Sequence, residues 1–166
     1  GFERKMGRDD ERTADALADT YGLRIVLVGV PSERSELERL RTRMSRGDRT
    51  VILTESLQTT MGILDRAQLL VSNLSGPTHL AALATDVPVV TIIGPTAKER
   101  WGPLRDHGVV CLQGPFCGKD CRWQNCPYDR RCIVDVSVEQ VLSATERLIG
   151  ASGPQRARGK TAEAVR

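Results

Sequence analysis

Short apolar runs alternate with helix-length segments from residue 23 to residue 112, and this alternation restricts the chain to very few architectures. Leu23 to Val28 is apolar except at Arg24, and runs of this kind belong to strands covered on both faces. Gly29-Val30-Pro31-Ser32 then breaks the strand and opens a charged helix, Glu33 to about Met44, with Leu37, Leu40 and Met44 as its inner stripe. The unit recurs: Thr50 to Leu53 as strand, Ser56 to Arg66 as helix, Gln68 to Ser72 as strand, Pro77 to about Thr85 as helix. Val87 to Ile93 follows as a buried strand, and Val109 to Leu112 as a fifth. Strands and helices alternating at these intervals predict an α/β fold, a Rossmann-like parallel sheet with helices on both faces and right-handed crossovers.

The ends of the chain extend this plan. Asp10 to Tyr21 carries Ala14, Leu17 and Ala18 at helical spacing and closes at Gly22. Ser137-Val138-Glu139-Gln140 is a capping box, opening a helix whose Val141, Leu142, Ala144, Leu148 and Ile149 can cover the sheet before Gly150 stops it. Residues 1–150 therefore read as one domain. Residues 151–166, with Gly153, Pro154 and Gly159, read as a disordered basic tail. The start at Gly1, without a basic-then-apolar leader, reads as an internal or C-terminal piece of something longer.

Charge narrows the partners. The formal net charge is +3, and the tail accounts for it: Arg156, Arg158, Lys160 and Arg166 stand against Glu163. The body is neutral and only 4% of the residues are aromatic, which argues against a nucleic-acid binder. A membrane-surface role for the tail is a secondary reading.

Val71 to Ala82 holds the strongest functional signal: a strand end, a small-residue loop and a helix start in succession. Ser75 offers a hydroxyl, Gly76 lets backbone approach a ligand, and Pro77 suits a first helical position. The free N–H groups and the positive end of the helix dipole suit a diphosphate, with His79 in the first turn as a further site residue. In open parallel sheets ligands bind beyond the carboxyl ends of the strands, where Gly29 to Glu33, Thr54 to Leu57 and Asn73 to His79 all fall. Together they outline a nucleotide. Glu33 can accept hydrogen bonds from ribose hydroxyls, although acids favour a helix start without any ligand.

Four cysteines, Cys117, Cys121, Cys126 and Cys132, are separated by three, four and five residues, with Cys111 upstream on the fifth strand. The paired two-residue spacing of zinc ribbons is missing and no His lies among them. Reduced or partly paired thiols in a 111–132 loop are favoured over a metal or a disulfide framework. Trp101 and Pro103 read as packing anchors rather than a ligand platform, Met61 and Leu64 as core, and Lys5 as surface rather than a remnant phosphate contact.

Val71 to Ala82, followed by Pro88-Val89-Val90-Thr91-Ile92-Ile93-Gly94-Pro95-Thr96 and Trp101-Gly102-Pro103, resembles the C-terminal domain of the heptosyltransferase family, glycosyltransferase family nine. Leu23 to Glu33 is similar to that family's strand and Gly-x-Pro-x-Glu turn, and Cys117 through Val141 to the cysteine loop of its lipopolysaccharide heptosyltransferase II branch. The resemblance covers residues 12 to 149. It implies the donor-binding half of a two-domain GT-B glycosyltransferase: a cytoplasmic enzyme, or one peripheral at the inner membrane, that transfers heptose from ADP-heptose, or a sugar from another nucleotide sugar, to a lipopolysaccharide core or cell-envelope glycan, with inversion. It implies no metal or other cofactor, and a general base and acceptor site in an N-terminal domain outside this chain. Residue by residue it implies that Ser75, Gly76 and Thr78 contact the diphosphate, Glu33 with Gly29 the ribose, and Glu55 and Leu57 the base, beside Asn73, Pro77 and His79. At Leu74 the family pattern carries an aspartate for the donor sugar; partial substitution by Asn73, another donor sugar and lost activity all stand open at this point. A non-catalytic nucleotide-binding module and a GT-B-like sugar epimerase remain as alternatives.

Overall fold

A computed structural model describes residues 9–105, 107–115, 121 and 126–150. The tail 151–166, Lys5 and Cys117 lie outside the described residues. The elements run α1 (Asp10–Tyr21), β1 (Val26–Val28), α2 (Arg34–Arg43) after a 3-10 turn Pro31–Glu33, β2 (Val51–Leu53), α3 (Leu57–Leu64) and β3 (Leu70–Asn73). They continue as α4 (Gly76–Ala84), β4 (Val89–Ile92), α5 (Lys98–Trp101), β5 (Val109–Leu112), α6 (Arg131–Val134) and α7 (Val138–Ile149). Every strand pairing is parallel: β1 with β2, and β3 with β4 with β5.

Local chemistry explains the boundaries. Gly22 closes α1 at φ +64, where a side chain would be strained. Ser56 accepts the Thr59 N–H at 3.3 Å to start α3. At α7 the Ser137 hydroxyl accepts from Gln140 N–H at 3.3 Å while Gln140 Oε1 accepts from Ser137 N–H at 2.8 Å, the reciprocal box the sequence announces.

The three-stranded sheet holds the core. Side chains alternate across β4 with the two-residue period of a strand. Val89 packs with Leu64, Ala81 and Val87 on the face of α3 and α4, where Met61 also lies. Val90 meets Val141 and Ala144 of α7 on the other face, and Ile92 extends that face to Cys132 and Ile133 of α6. All four residues of β4 are buried, so the expectation of helices on both faces holds here.

At β1 and β2 the cover is thinner. Val26 and Val51, partners in the ladder, are 37% and 49% exposed, and no residue of either strand is fully buried. The sheet is two hydrogen-bonded parts, and the helices that enclose β4 belong to the second. β1 is also shorter than the apolar run from Leu23, because its ladder with β2 begins only where Val51 N–H meets Ile25 O at 3.0 Å. The cysteine segment is not one loop either: Cys111 lies on β5 and Cys132 is buried on α6. Among the described residues no helix is long and apolar enough to cross a membrane.

Candidate functional site

Asn73 ends β3, and the Leu74 N–H extends the ladder to Ile92 O at 3.0 Å, so the following loop leaves from the carboxyl edge of the sheet. Ser75 is fully extended, at φ −158 and ψ 179, and its hydroxyl makes no capping bond to α4. Thr78 does the structural work of the turn. Its Oγ1 lies 2.8 Å from Ser72 Oγ, donates to Asn73 O at 2.9 Å and accepts from Ser75 N–H at 3.3 Å, all in a fully buried position. The sequence places Thr78 among the diphosphate contacts; the structure gives it no exposed surface and spends its hydroxyl on the loop.

Gly76 and Pro77 are exposed at the helix start. A Cβ added at Gly76 would meet nothing within 4 Å, so space above this backbone is open to a ligand. His79 N–H is the first to find a backbone carbonyl, Ser75 O at 3.3 Å, and its side chain is half-buried. An uncommitted hydroxyl, open backbone and the positive end of the nine-residue α4 are the features expected of an anion seat.

The other two loops form one unit on the β1–β2 sheet. Gly29 N–H donates to Leu53 O at 3.0 Å, and Arg34 Nη1 on α2 donates to Thr54 Oγ1 at 3.1 Å. Glu33 curls back: its Oε2 accepts from Val30 N–H at 3.0 Å. This explains Gly29, where a Cβ would stand 2.8 Å from that oxygen and 3.0 Å from Leu37 Cδ1. One carboxylate oxygen of Glu33 is thereby used inside the turn. Glu55 and Leu57 are exposed, Leu57 at 58%. Thus Gly29, Glu33, Glu55 and Leu57 are brought together, while Asn73 to His79 stand on the second sheet.

Sequence reasoning missed the clamp beside this loop. Gln113, directly after β5, donates from Nε2 to Gly94 O at 2.5 Å and to Thr96 O at 3.3 Å, and Thr96 N–H closes a turn on Gly94 O at 2.8 Å. These bonds shape the segment leaving β4, next to the anion seat. No local pattern announces a glutamine reaching across strands. Trp101 at the end of this segment is 53% exposed, so it is not the packing anchor its sequence context suggests.

The described cysteines form no group of three metal-binding side chains, and no disulfide joins any two of them. Burial raises the pKa of the Cys111 thiol, with the Lys98 charge opposing. Cys126 Sγ accepts from Arg130 N–H at 3.4 Å.

The family model for glycosyltransferase family 9 (heptosyltransferase) matches residues 13–130, most of the chain. The chain belongs to glycosyltransferase family 9. Two solved structures share the family 9 fold seen here. A family 9 glycosyl transferase from Veillonella parvula DSM 2008 is 22% identical, with a TM-score of 0.73 over 88% of this chain and 42% of its own. The E. coli heptosyltransferase WaaC, determined with ADP, is 24% identical, with a TM-score of 0.63 over 82% of this chain and 37% of its own. The family 9 chain thus spans about two fifths of the length of these structures. No curated protein matches it. The parallel sheets flanked by helices are those of a GT-B half, as the sequence resemblance implies.

Proposed function

We propose that this chain is the donor-binding part of an inverting, heptosyltransferase-like glycosyltransferase. The observation that carries the reading is the β3–α4 turn: an open helix start with the Ser75 hydroxyl uncommitted, in a family whose member WaaC was determined with ADP. The donor is a nucleoside diphosphate sugar, ADP-heptose by family, and the acceptor a lipopolysaccharide core or related envelope glycan. When the glycosidic bond to the diphosphate breaks, negative charge grows on the departing oxygen. Preorganised N–H dipoles and the Ser75 hydroxyl lower the energy of that charge in place of a cation, so no metal is required. Thr78 holds the turn instead of touching phosphate. The free oxygen of Glu33 serves the ribose, and the Glu55–Leu57 segment flanks the base. Asn73 and His79 border the seat. The general base, and the part of the acceptor site that surrounds it, lie in a second domain outside this chain.

Isothermal titration of the chain with ADP tests this reading. Binding is expected, and Ser75→Ala should weaken it about ten- to a hundredfold, the range of one hydrogen bond to a charged group. The same substitution should leave the unfolding midpoint unchanged, because Ser75 Oγ makes no cap bond. Absence of ADP binding at millimolar concentration sinks the assignment.

Leu74 supports a second reading, a nucleotide-binding module without transfer. Its side chain offers no hydrogen bond where the family pattern has a carboxylate, while its backbone N–H is tied to Ile92 O at 3.0 Å. Leu74→Asp in the intact protein would therefore change chemistry without moving the loop. Under this reading it raises sugar transfer at least about tenfold, a gain of one charge-assisted hydrogen bond; ordinary transfer by the unaltered protein excludes the reading.

A further inference from the structure

Eight large apolar side chains stand exposed among the described residues, and one segment displays two of them within four residues. Trp101 is 53% exposed and Leu104 is 82% exposed, on either side of Gly102-Pro103. Exposed apolar surface of this kind, rimmed by charge, marks a contact site more often than an accident of folding. The charge is present: Lys98, Glu99 and Arg100 of α5 are all exposed, two basic residues against one acid. The Arg100 guanidinium lies 5.5 Å from the centroid of the Trp101 ring. It holds a cation against the ring.

The place of this segment in the fold gives it meaning. It leaves the carboxyl end of β4, whose Ile92 is the register partner of Asn73, so it rises from the same sheet edge as the anion seat. Five residues separate Ile92 from Lys98, and the Gln113 bonds to Gly94 O and Thr96 O fold them into a fixed turn. Lys98 is therefore held within about 20 Å of the strand end, and Trp101, three helical residues on, within about 25 Å.

We infer that Trp101, Arg100 and Lys98 form a saccharide-binding rim for the anionic acceptor glycan, presented by the donor-binding domain itself. The weakly positive C–H bonds of a sugar ring suit the electron-rich indole face, and a guanidinium and an ammonium beside it suit a phosphate or carboxylate carried by the sugar. Leu104 extends the apolar floor. This inference rests on the proposed transferase function, because only a transfer reaction requires a second sugar within reach of the diphosphate seat.

The test uses the whole chain, a delipidated, phosphorylated lipopolysaccharide core oligosaccharide and its dephosphorylated form, read by saturation-transfer NMR, with ADP titrated separately. The phosphorylated oligosaccharide is expected to receive saturation, and Trp101→Ala to weaken its binding about tenfold while Trp101→Phe retains most of it. Arg100→Gln should reduce the preference for the phosphorylated form. ADP affinity should stay unchanged in all three variants. Three outcomes overturn the rim: no oligosaccharide contact although ADP binds, a loss of ADP affinity in Trp101→Ala, or self-association of the chain that Trp101→Ala abolishes. Loss of ADP binding by the unaltered chain is a separate readout and strikes the donor reading instead.

Discussion

Thr78→Val is expected to lower the unfolding free energy by about 1–3 kcal/mol, the cost of deleting one buried hydroxyl that makes three hydrogen bonds. Valine nearly matches threonine in shape, so the change deletes one hydroxyl and little packing. That hydroxyl binds Ser72 Oγ, Asn73 O and Ser75 N–H in a position without solvent access. Its loss withdraws one hydrogen bond from each of three partly buried groups across a turn of seven residues and loosens the turn. ADP affinity should therefore fall at least about tenfold, although Thr78 presents no surface to a ligand. Ser75→Ala separates the two effects, because it removes the hydroxyl proposed to meet the diphosphate, which makes no cap bond to α4. Denaturant unfolding and ADP titration of both variants check the contrast. If Thr78→Val matches the unaltered chain in both measurements, the turn does not depend on this hydroxyl.

Arg105→Met is expected to cost about 3 kcal/mol, since hydrogen bonds from a charged donor contribute more than neutral ones and this one is only partly exposed. Arg105 Nη1 donates to Thr85 O at 2.7 Å, and Nη2 donates to Val87 O at 2.5 Å and Gly108 O at 3.1 Å. One side chain thereby gathers the end of α4, the entry to β4 and the entry to β5. The Gly108 carbonyl also accepts from Val89 N–H at 2.8 Å, so the guanidinium anchors the first rung between the two strands. Methionine keeps much of the stem's bulk and removes every donor. For a domain of this size the loss should lower the melting temperature by roughly 6–12 °C, read by calorimetry. Arg105→Lys should recover little, because a point charge cannot fork to three carbonyls. An unchanged melting temperature in the methionine variant would show that the strand entries hold without this staple.

Much of the fold was legible because it depends on neighbours in sequence. The Ser137–Gln140 box, the Ser56 cap and the left-handed Gly22 involve residues within one turn, so composition and spacing suffice to find them. The apolar runs and the two-residue alternation of β4 place Val89 and Val90 on opposite faces by strand geometry alone. The same locality revealed the Ser75-Gly76-Pro77 helix start and the strand-end loops.

What escaped the sequence depends on contacts between distant segments. An apolar run records that a strand can be buried, not that a helix will cover it, and Val26 and Val51 stay exposed for that reason. A threonine beside a phosphate-type loop points outward or inward according to what lies beneath it, and Ser72 and Asn73 draw Thr78 inward. The Glu33 carboxylate turns onto Val30 N–H, a choice of rotamer rather than of residue. Arg105 and Gln113 find carbonyls on neighbouring strands that come near only once the sheet has formed.

For this protein, then, the sequence by itself determined the family, the order of strands and helices, and the helix start of the β3–α4 turn, because backbone preference and hydrophobic period act over a few residues. Only the tertiary structure decided that Thr78 is buried within that turn while Gly76 and Pro77 are exposed, and that Trp101 stands in the open. Side-chain direction is set by whichever partner the packed chain brings within hydrogen-bond or van der Waals reach, and that partner lies far away in sequence.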